Sequence, residues 1–352
     1  MASGGTIGVG IVGYGLAGRS FHAPFIDAVD GLRVAAVATG RPDRQATARR
    51  DYPEAMVVDG FEALLERPDV EVVVVASPNR THVPLGIAAL EAARHVVTDK
   101  PIATDVAEAE RLVEAAERAG RILTVYQNRR FDGDFLTVRS LIDAGTLGPI
   151  DSLESRFEIR VPHSAAWRED GAEAAGPHRD LGAHLVDQAL LLFGPVVRVF
   201  GQLDRRRPGS AVDDWAFVAI EHAGGERSRL WTSLIAAWGE PRFHVRGLDA
   251  EYVKEGRDPQ EAASVAGGRP ADPGFGEDPP ERWGWLYAGA ELPTRVPTIR
   301  GDYRLFYAQL RDAVRGTAAP PVDPVDAIRG LRVLEAAERS ARGGSVVTVA
   351  AT

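Results

Sequence analysis

The stretch Thr6–Ser20, TIGVGIVGYGLAGRS, decides how this chain folds. Ile7, Val9, Ile11 and Val12 form a short apolar run rich in β-branched residues, the mark of a buried strand. Gly13-Tyr14-Gly15-Leu16-Ala17-Gly18 follows at once, and the apolar spacing from Leu16 to Val29 predicts a helix. A GxGxxG set between a strand and a helix has the context of a dinucleotide-binding turn, which the same pattern alone does not. Gly13 permits the tight turn, Gly15 lets main chain approach a pyrophosphate, and Gly18 lets the helix pack closely on the strand. The N–H groups around Leu16 and Ala17, at the positive end of the helix dipole, suit phosphate oxygens.

Working outward, 352 residues predict two domains and enough chain to bury a sizeable core. The formal charge of -9 argues against nucleic acid as a partner. The chain has no cysteine, so thiol nucleophiles, disulfides and thiolate metal sites are excluded, and no cluster has metal-ligand spacing. MASGGT is not a secretory start, and no 18-residue apolar run occurs, which predicts a soluble, cytoplasmic protein without membrane contact.

After the first helix, strands are predicted at 33–38, 55–58, 71–76, 95–98 and 122–125, with helices at 46–50, 61–66, 83–93 and 105–119 between them. This alternation predicts an α/β fold whose first domain, residues 1–127, is a doubly wound parallel Rossmann sheet. Ligands of such sheets bind beyond the carboxyl ends of the strands. The second strand ends at Thr39-Gly40-Arg41, with no acid there for a ribose 2′-hydroxyl. Thr39 and Arg41, with Arg44, suit a 2′-phosphate, which favours NADP over NAD; the alternative is a solvated Arg41 and either cofactor. Ser77-Pro78-Asn79 and His82 follow the next strand, and Asp99-Lys100-Pro101 the one after. His82 is either a ligand contact or a cap of the next helix. Lys100 draws its interest from its position, since most lysines are simply solvated.

With Gly13–Gly18, Ser77-Pro78-Asn79…His82 and Asp99-Lys100-Pro101 in order, the chain resembles the Gfo/Idh/MocA oxidoreductases. The resemblance continues through Tyr126–Phe131, Trp167-Arg168-Glu169 and Asp180-Leu181-Gly182-Ala183-His184, and within the family it is greatest toward NADP-dependent scyllo-inositol dehydrogenases. Lys254-Glu255-Gly256…Asp258-Pro259-Gln260-Glu261 and Gly301-Asp302-Tyr303…Tyr307 are similar to that subgroup. Asp99 stands where the family motif has Glu, and Arg179 where the subgroup usually has Tyr. The resemblance implies a cis Lys100-Pro101 bond and cofactor contacts from Ser77, Pro78, Asn79, His82, Asp99, Lys100, Trp167 and Arg168. It further implies substrate contacts from Lys100, Asn128, Arg129, Asp180 and His184.

From residue 128 to 352 the pattern changes. Strands at 153–161, 196–202, 215–221, 228–235 and 242–245 follow with few helices between, which predicts an α+β domain with a large, mostly antiparallel open sheet. Such a sheet covers its bare face, so a homodimer or homotetramer through it is expected. Residues 256–284, rich in Pro, Gly and acids, read as a surface excursion, and 323–342 as a closing helix. His184–Phe193 is nearly all apolar and predicts a buried helix ended by Gly194-Pro195. Asp180 and His184 share a face if the turn at its entrance is helical. The expected reaction is hydride transfer between a nicotinamide and a secondary hydroxyl of a sugar or cyclitol. His184 is then the base, Asp180 its orienting partner, and Lys100 the donor to the reacting oxygen. Two alternatives stand beside it: a cofactor-dependent glycosidase using transient oxidation, and a non-catalytic NADP sensor.

Overall fold

The Val/Ile/Ala runs singled out above lie where a sheet is covered on both faces. The computed structural model describes residues 5–161, 173 and 175–349. These divide into two units. The first holds the chain up to Asn128 together with Pro259–Phe275 and Asp302–Ile328; the second holds Arg129–Asp258, Gly276–Gly301 and Arg329 onward. The division begins at residue 128, but it is not one cut, because two later segments return to the first unit.

In the first unit six strands lie parallel: β1 (Ile7–Val12), β2 (Leu32–Ala38), β3 (Met56–Val58), β4 (Val72–Val75), β5 (His95–Thr98) and β6 (Leu123–Val125). Their order, β3-β2-β1-β4-β5-β6, is that of a dinucleotide-binding sheet, with the order of strand addition reversing between β1 and β4. Every residue of β1 and β4 is buried, as doubly covered strands require. The helix Val106–Ala119 starts on Asp105, whose carboxylate accepts the Glu108 N–H at 2.9 Å. The helix predicted at 16–29 opens as a π-helical stretch, Ala17–His22, and continues as α-helix over Ala23–Asp27. Such stretches are frequent at functional sites.

The second unit is built on nine described strands: β7 (Ile150–Glu158), β8 (Val196–Asp204), β9 (Trp215–His222), β10 (Arg227–Ser233), β11 (Phe243–Gly247), β12 (Glu251–Lys254), β13 (Gly284–Tyr287), β14 (Thr294–Val296) and β15 (Val347–Thr348). They run in the order β14-β13-β12-β11-β7-β10-β9-β8-β15. The sheet is mostly antiparallel, as expected, with β7 and β10 paired in parallel. Phe135, Val138, Leu153, Ala189, Phe243 and Tyr252 meet in its core. Among the described residues no helix is long and apolar enough to cross a membrane.

The surface excursion expected at 256–284 is a correction. The segment contains the helix Gln260–Val265 and the buried residues Asp258, Gln260, Phe275 and Asp278. Its polar side chains face inward because each binds main chain or a charge. Asp258 accepts the Gly133 N–H at 2.6 Å, and Gln260 accepts the Tyr303 N–H at 2.9 Å. Asp278 pairs with the fully buried Lys254 at 2.8 Å. Arg269, in the same segment, donates to the Tyr52 hydroxyl at 2.9 Å, and Phe275 packs on Phe25. Removing one partner of a buried ion pair leaves the other charge uncompensated. Lys254→Met is therefore expected to cost about 3 kcal/mol, read as a lower urea midpoint at unchanged slope; an unchanged midpoint would show that the pair contributes nothing net.

Candidate functional site

Two glycines of the opening motif meet main chain as expected, Gly13 at the turn and Gly18 against the strand end. Gly13 has φ of +94°, and a Cβ there would meet the Ala76 carbonyl. A Cβ on Gly18 would collide with the Gly13 carbonyl oxygen. Gly15 differs, because no main chain crowds it and the nearest group is the Arg44 guanidinium, 3.4 Å from where a Cβ would stand. Two glycines thus let the chain fold on itself, and the third leaves a surface open beneath a cation. That is a fit for a dinucleotide pyrophosphate.

At the end of β2, Thr39 is buried and its carbonyl accepts from Gln45 at 2.8 Å. Arg41 is exposed at the start of the helix Pro42–Asp51 and pairs with Asp43 at 3.2 Å. Arg44, named only as a second cation from sequence, is the one beside the glycine loop. Ser77 and Thr81 exchange a hydroxyl hydrogen bond at 2.6 Å across the turn Asn79–Thr81. His82 is buried. Its ring nitrogens lie 2.8 Å from the Pro101 carbonyl and 3.0 Å from that of Ser77, so it ties the loop after β4 to the loop after β5. Lys100-Pro101 is cis. The Asp99 carboxylate accepts the Lys100 main-chain N–H at 2.8 Å.

In the second unit, residues Pro177–Asp180 form one helical turn, Leu181 keeps helical angles (φ −89°, ψ −37°), and Gly182–Phe193 continues. The His184 N–H donates to the Leu181 carbonyl at 3.1 Å. Backbone angles therefore stay helical through the entrance, which is the condition under which Asp180 and His184 share a face. His184 is 4% exposed, and the helix is buried from Gly182 to Ala189. Gln188, one turn further, donates to the Arg129 carbonyl at 2.9 Å and accepts from the buried Arg242 at 2.8 Å.

Arg179, which stands where the subgroup usually has Tyr, is buried and forks onto Glu338 at 2.5 and 2.8 Å, in a bidentate pair that favours arginine. Its neighbour His178 donates from Nε2 to the Leu334 carbonyl at 3.0 Å, one turn back on the same helix. Burial pushes the His178 imidazole down to about 4, which leaves it neutral near pH 7. Arg129, expected at the substrate, lies under the Phe157 ring and pairs with Asp132 at 3.1 Å. Asn128 opens a single 3₁₀ turn, Asn128–Phe131. Trp167 and Arg168 lie outside the described residues.

Sequence reading missed His22, Arg242 and Glu338. His22 had a signal, as the lone imidazole in an apolar helix start four residues past Gly18; the other two are charges whose burial no local pattern reveals. It also passed over a count. Lys100 and Lys254 are the only lysines among 41 basic residues.

A parallel sheet of dinucleotide-binding order, a glycine turn with one open glycine and a strand-end lysine define a Rossmann oxidoreductase. The family models agree: residues 7–127 match the NAD-binding Rossmann fold of the oxidoreductase family, and 139–349 its C-terminal alpha/beta domain. The chain belongs to the Gfo/Idh/MocA oxidoreductases. It is 35% identical to the scyllo-inositol 2-dehydrogenase (NADP(+)) IolW of Bacillus subtilis, over 96% of this chain and 94% of that one. It is 36% identical to the uncharacterized oxidoreductase YdgJ of Escherichia coli, over 98% and 99%. The solved structure of the oxidoreductase yvaA from Bacillus subtilis superposes with a TM-score of 0.94 at 33% identity, covering 99% of this chain and all of that one.

Two outcomes test this geometry. Gly18→Ala should lower stability, since main chain must move, whereas Gly15→Ala should leave the urea midpoint near wild type and weaken dinucleotide binding measured by calorimetry. Equal effects of the two would show that the glycines are not divided in this way. The second concerns Asp213, which accepts the His178 N–H at 2.9 Å. Burial pushes its carboxyl up to about 7, against that hydrogen bond. A raised folded-state value means stability is lost as pH climbs from the unfolded value of about 4 through 7. Asp213→Asn should thus be more stable than wild type at pH 8, with the gap closing toward pH 5; urea midpoints that stay parallel across this range would contradict it.

Proposed function

We propose that this protein is an NADP-preferring dehydrogenase that acts in the cytoplasm on a secondary hydroxyl of a sugar or cyclitol. The observation that carries the reading is His184, a nearly buried imidazole one helical turn from Asp180 at the head of a mostly apolar helix. The bound dinucleotide would lie on Gly13, Gly15, Leu16, Ala17 and Gly18, with Ser77, Pro78, Asn79, Asp99 and Lys100 at the neighbouring strand ends, and supply the hydride acceptor or donor. His184 takes the hydroxyl proton. Asp180 accepts a hydrogen bond from an adjacent hydroxyl and orients the imidazole. Lys100 donates to the reacting oxygen and stabilises its alkoxide character. The NADP preference is supported by Arg41 and Arg44 and by the lack of an acid at the end of β2. The printed cofactor of IolW agrees with it.

Self-association through the nine-stranded sheet belongs to the same reading. Phe217 and Trp231 pack at 4.9 Å on the half-buried face of β9 and β10, with Arg156 stacked on Trp231 at 3.8 Å. That face suits a second copy of the chain.

The test is a panel of polyols and sugars with NADP⁺ and NAD⁺, followed at 340 nm. One or more cyclitols or sugars should reduce NADP⁺ faster than NAD⁺ at limiting cofactor. Arg41→Ala should weaken NADP⁺ roughly tenfold and NAD⁺ little, the scale of one charge-assisted contact. His184→Ala should lower kcat by about 10²–10⁴-fold and remove the acidic limb of the pH profile. Near-normal turnover of that variant would make His184 structural.

A further inference from the structure

The polar groups behind Lys100 form a line that the reaction as described does not use. His22 is fully buried, delivered by the π-helical stretch Ala17–His22 that includes Gly18. Its Nδ1 lies 2.5 Å from the hydroxyl of Tyr307, on the helix Arg304–Val314. Its Nε2 lies 3.6 Å from Asp99 Oδ2. The Tyr126 ring covers the imidazole at 4.3 Å, and the Tyr126 hydroxyl donates to the Phe21 carbonyl at 2.6 Å, away from it. The second oxygen of Asp99 accepts the Lys100 N–H. A hydroxyl, an imidazole and a carboxylate thus stand in sequence and end on the peptide that carries Lys100, all within the first unit.

We propose that His22 and Tyr307 are positioning residues for Lys100, acting through the Asp99 carboxylate. The proposal rests on the reading of Lys100 as the donor to the reacting oxygen. Burial, with Tyr126 and Asp99 nearby, holds the Tyr307 phenol well above its ordinary value, so it keeps its proton, and in the proposed line it is the donor to Nδ1. That leaves Nε2 to carry hydrogen toward Asp99. Burial opposes the ionisation of Asp99, but the His22 ring, Lys100 and His82 outweigh it and hold the carboxyl below its ordinary range. The acid stays charged, with one oxygen on the Lys100 peptide and the other toward the ring. Buried polar groups are costly unless satisfied, and a line of three in an aromatic interior has its use in what it fixes at its end. The shorter acid matters here. Aspartate reaches its own turn at 2.8 Å but stops 3.6 Å from His22, so ring position governs how firmly the carboxylate is held.

The two-lysine composition makes the test direct. In protein labelled with ¹³C at the lysine ε-carbon, two side-chain signals are expected, and Lys100→Arg assigns one of them. Tyr307→Phe removes a single hydroxyl and His22→Gln replaces the ring; where the second does not fold, the first suffices. Each should move the Lys100 signal at fixed pH and leave that of Lys254 in place. Each should lower kcat roughly tenfold or more, as a small misplacement of a catalytic group does. A Lys100 signal that stays at its wild-type position in folded Tyr307→Phe overturns the proposal, whatever the rate. The readout needs no substrate, so it is separable from the reading beneath it: normal turnover by Lys100→Met would overturn the role of Lys100 in the reaction, and the labelled spectra would still decide what positions it.

Discussion

The first unit depends on one close approach, that of the Gly18 α-carbon to the Gly13 carbonyl oxygen. No side chain fits in that gap, so the helix start seats directly on the strand end. Much follows from this seating. The main chain between the two glycines is left facing outward with Gly15 open, and the π-helical stretch is set so that its sixth residue, His22, turns inward. A wider seating would lift that stretch and draw the imidazole away from Tyr307 and Asp99. One contact between two glycines therefore links the loop after β1 with the loop after β5, although the chain between them is long.

Much of this was legible in the sequence, for a physical reason. Strands covered on both faces must be apolar throughout, so Val72–Val75 and Ile7–Val12 announce themselves. A parallel sheet then puts ligands at the strand ends, which is why Thr39, Ser77 and Lys100 were singled out by position, and each lies just past a strand. The entrance to the His184 helix was legible for a different reason, as a polar pair at the head of an apolar run.

What escaped is equally physical. Between residues 256 and 284 the sequence has the Pro, Gly and acid content of exposed loop, and that composition is correct for irregular main chain. Irregular main chain can nevertheless be buried when side chains satisfy it, as Asp258 does for Gly133 and Gln260 for Tyr303. Such bonds span more than forty residues and leave no periodicity to read. Arg179 and Arg129 show the same limit. No local pattern shows that each is held by a carboxylate, Glu338 and Asp132. In the second unit these buried charges form a scaffold of their own. Arg242 touches Ser155 at 2.5 Å and Gln188 at 2.8 Å, and Gln188 holds the Arg129 carbonyl, so the rotation of the His184 helix is set by hydrogen bonds as well as by apolar packing.

The scarcity of lysine has a practical side. Lys254 is sealed inside the second unit with Asp278, whereas Lys100 keeps part of its surface open. A reagent that acylates amines, or a resin that couples through them, therefore meets one reachable lysine side chain in the described fold, and that one belongs to the strand-end turn. Procedures that are harmless to most enzymes, such as amine-based immobilisation or fluorophore labelling, would here fall, beyond the chain's α-amine, on the Lys100 turn.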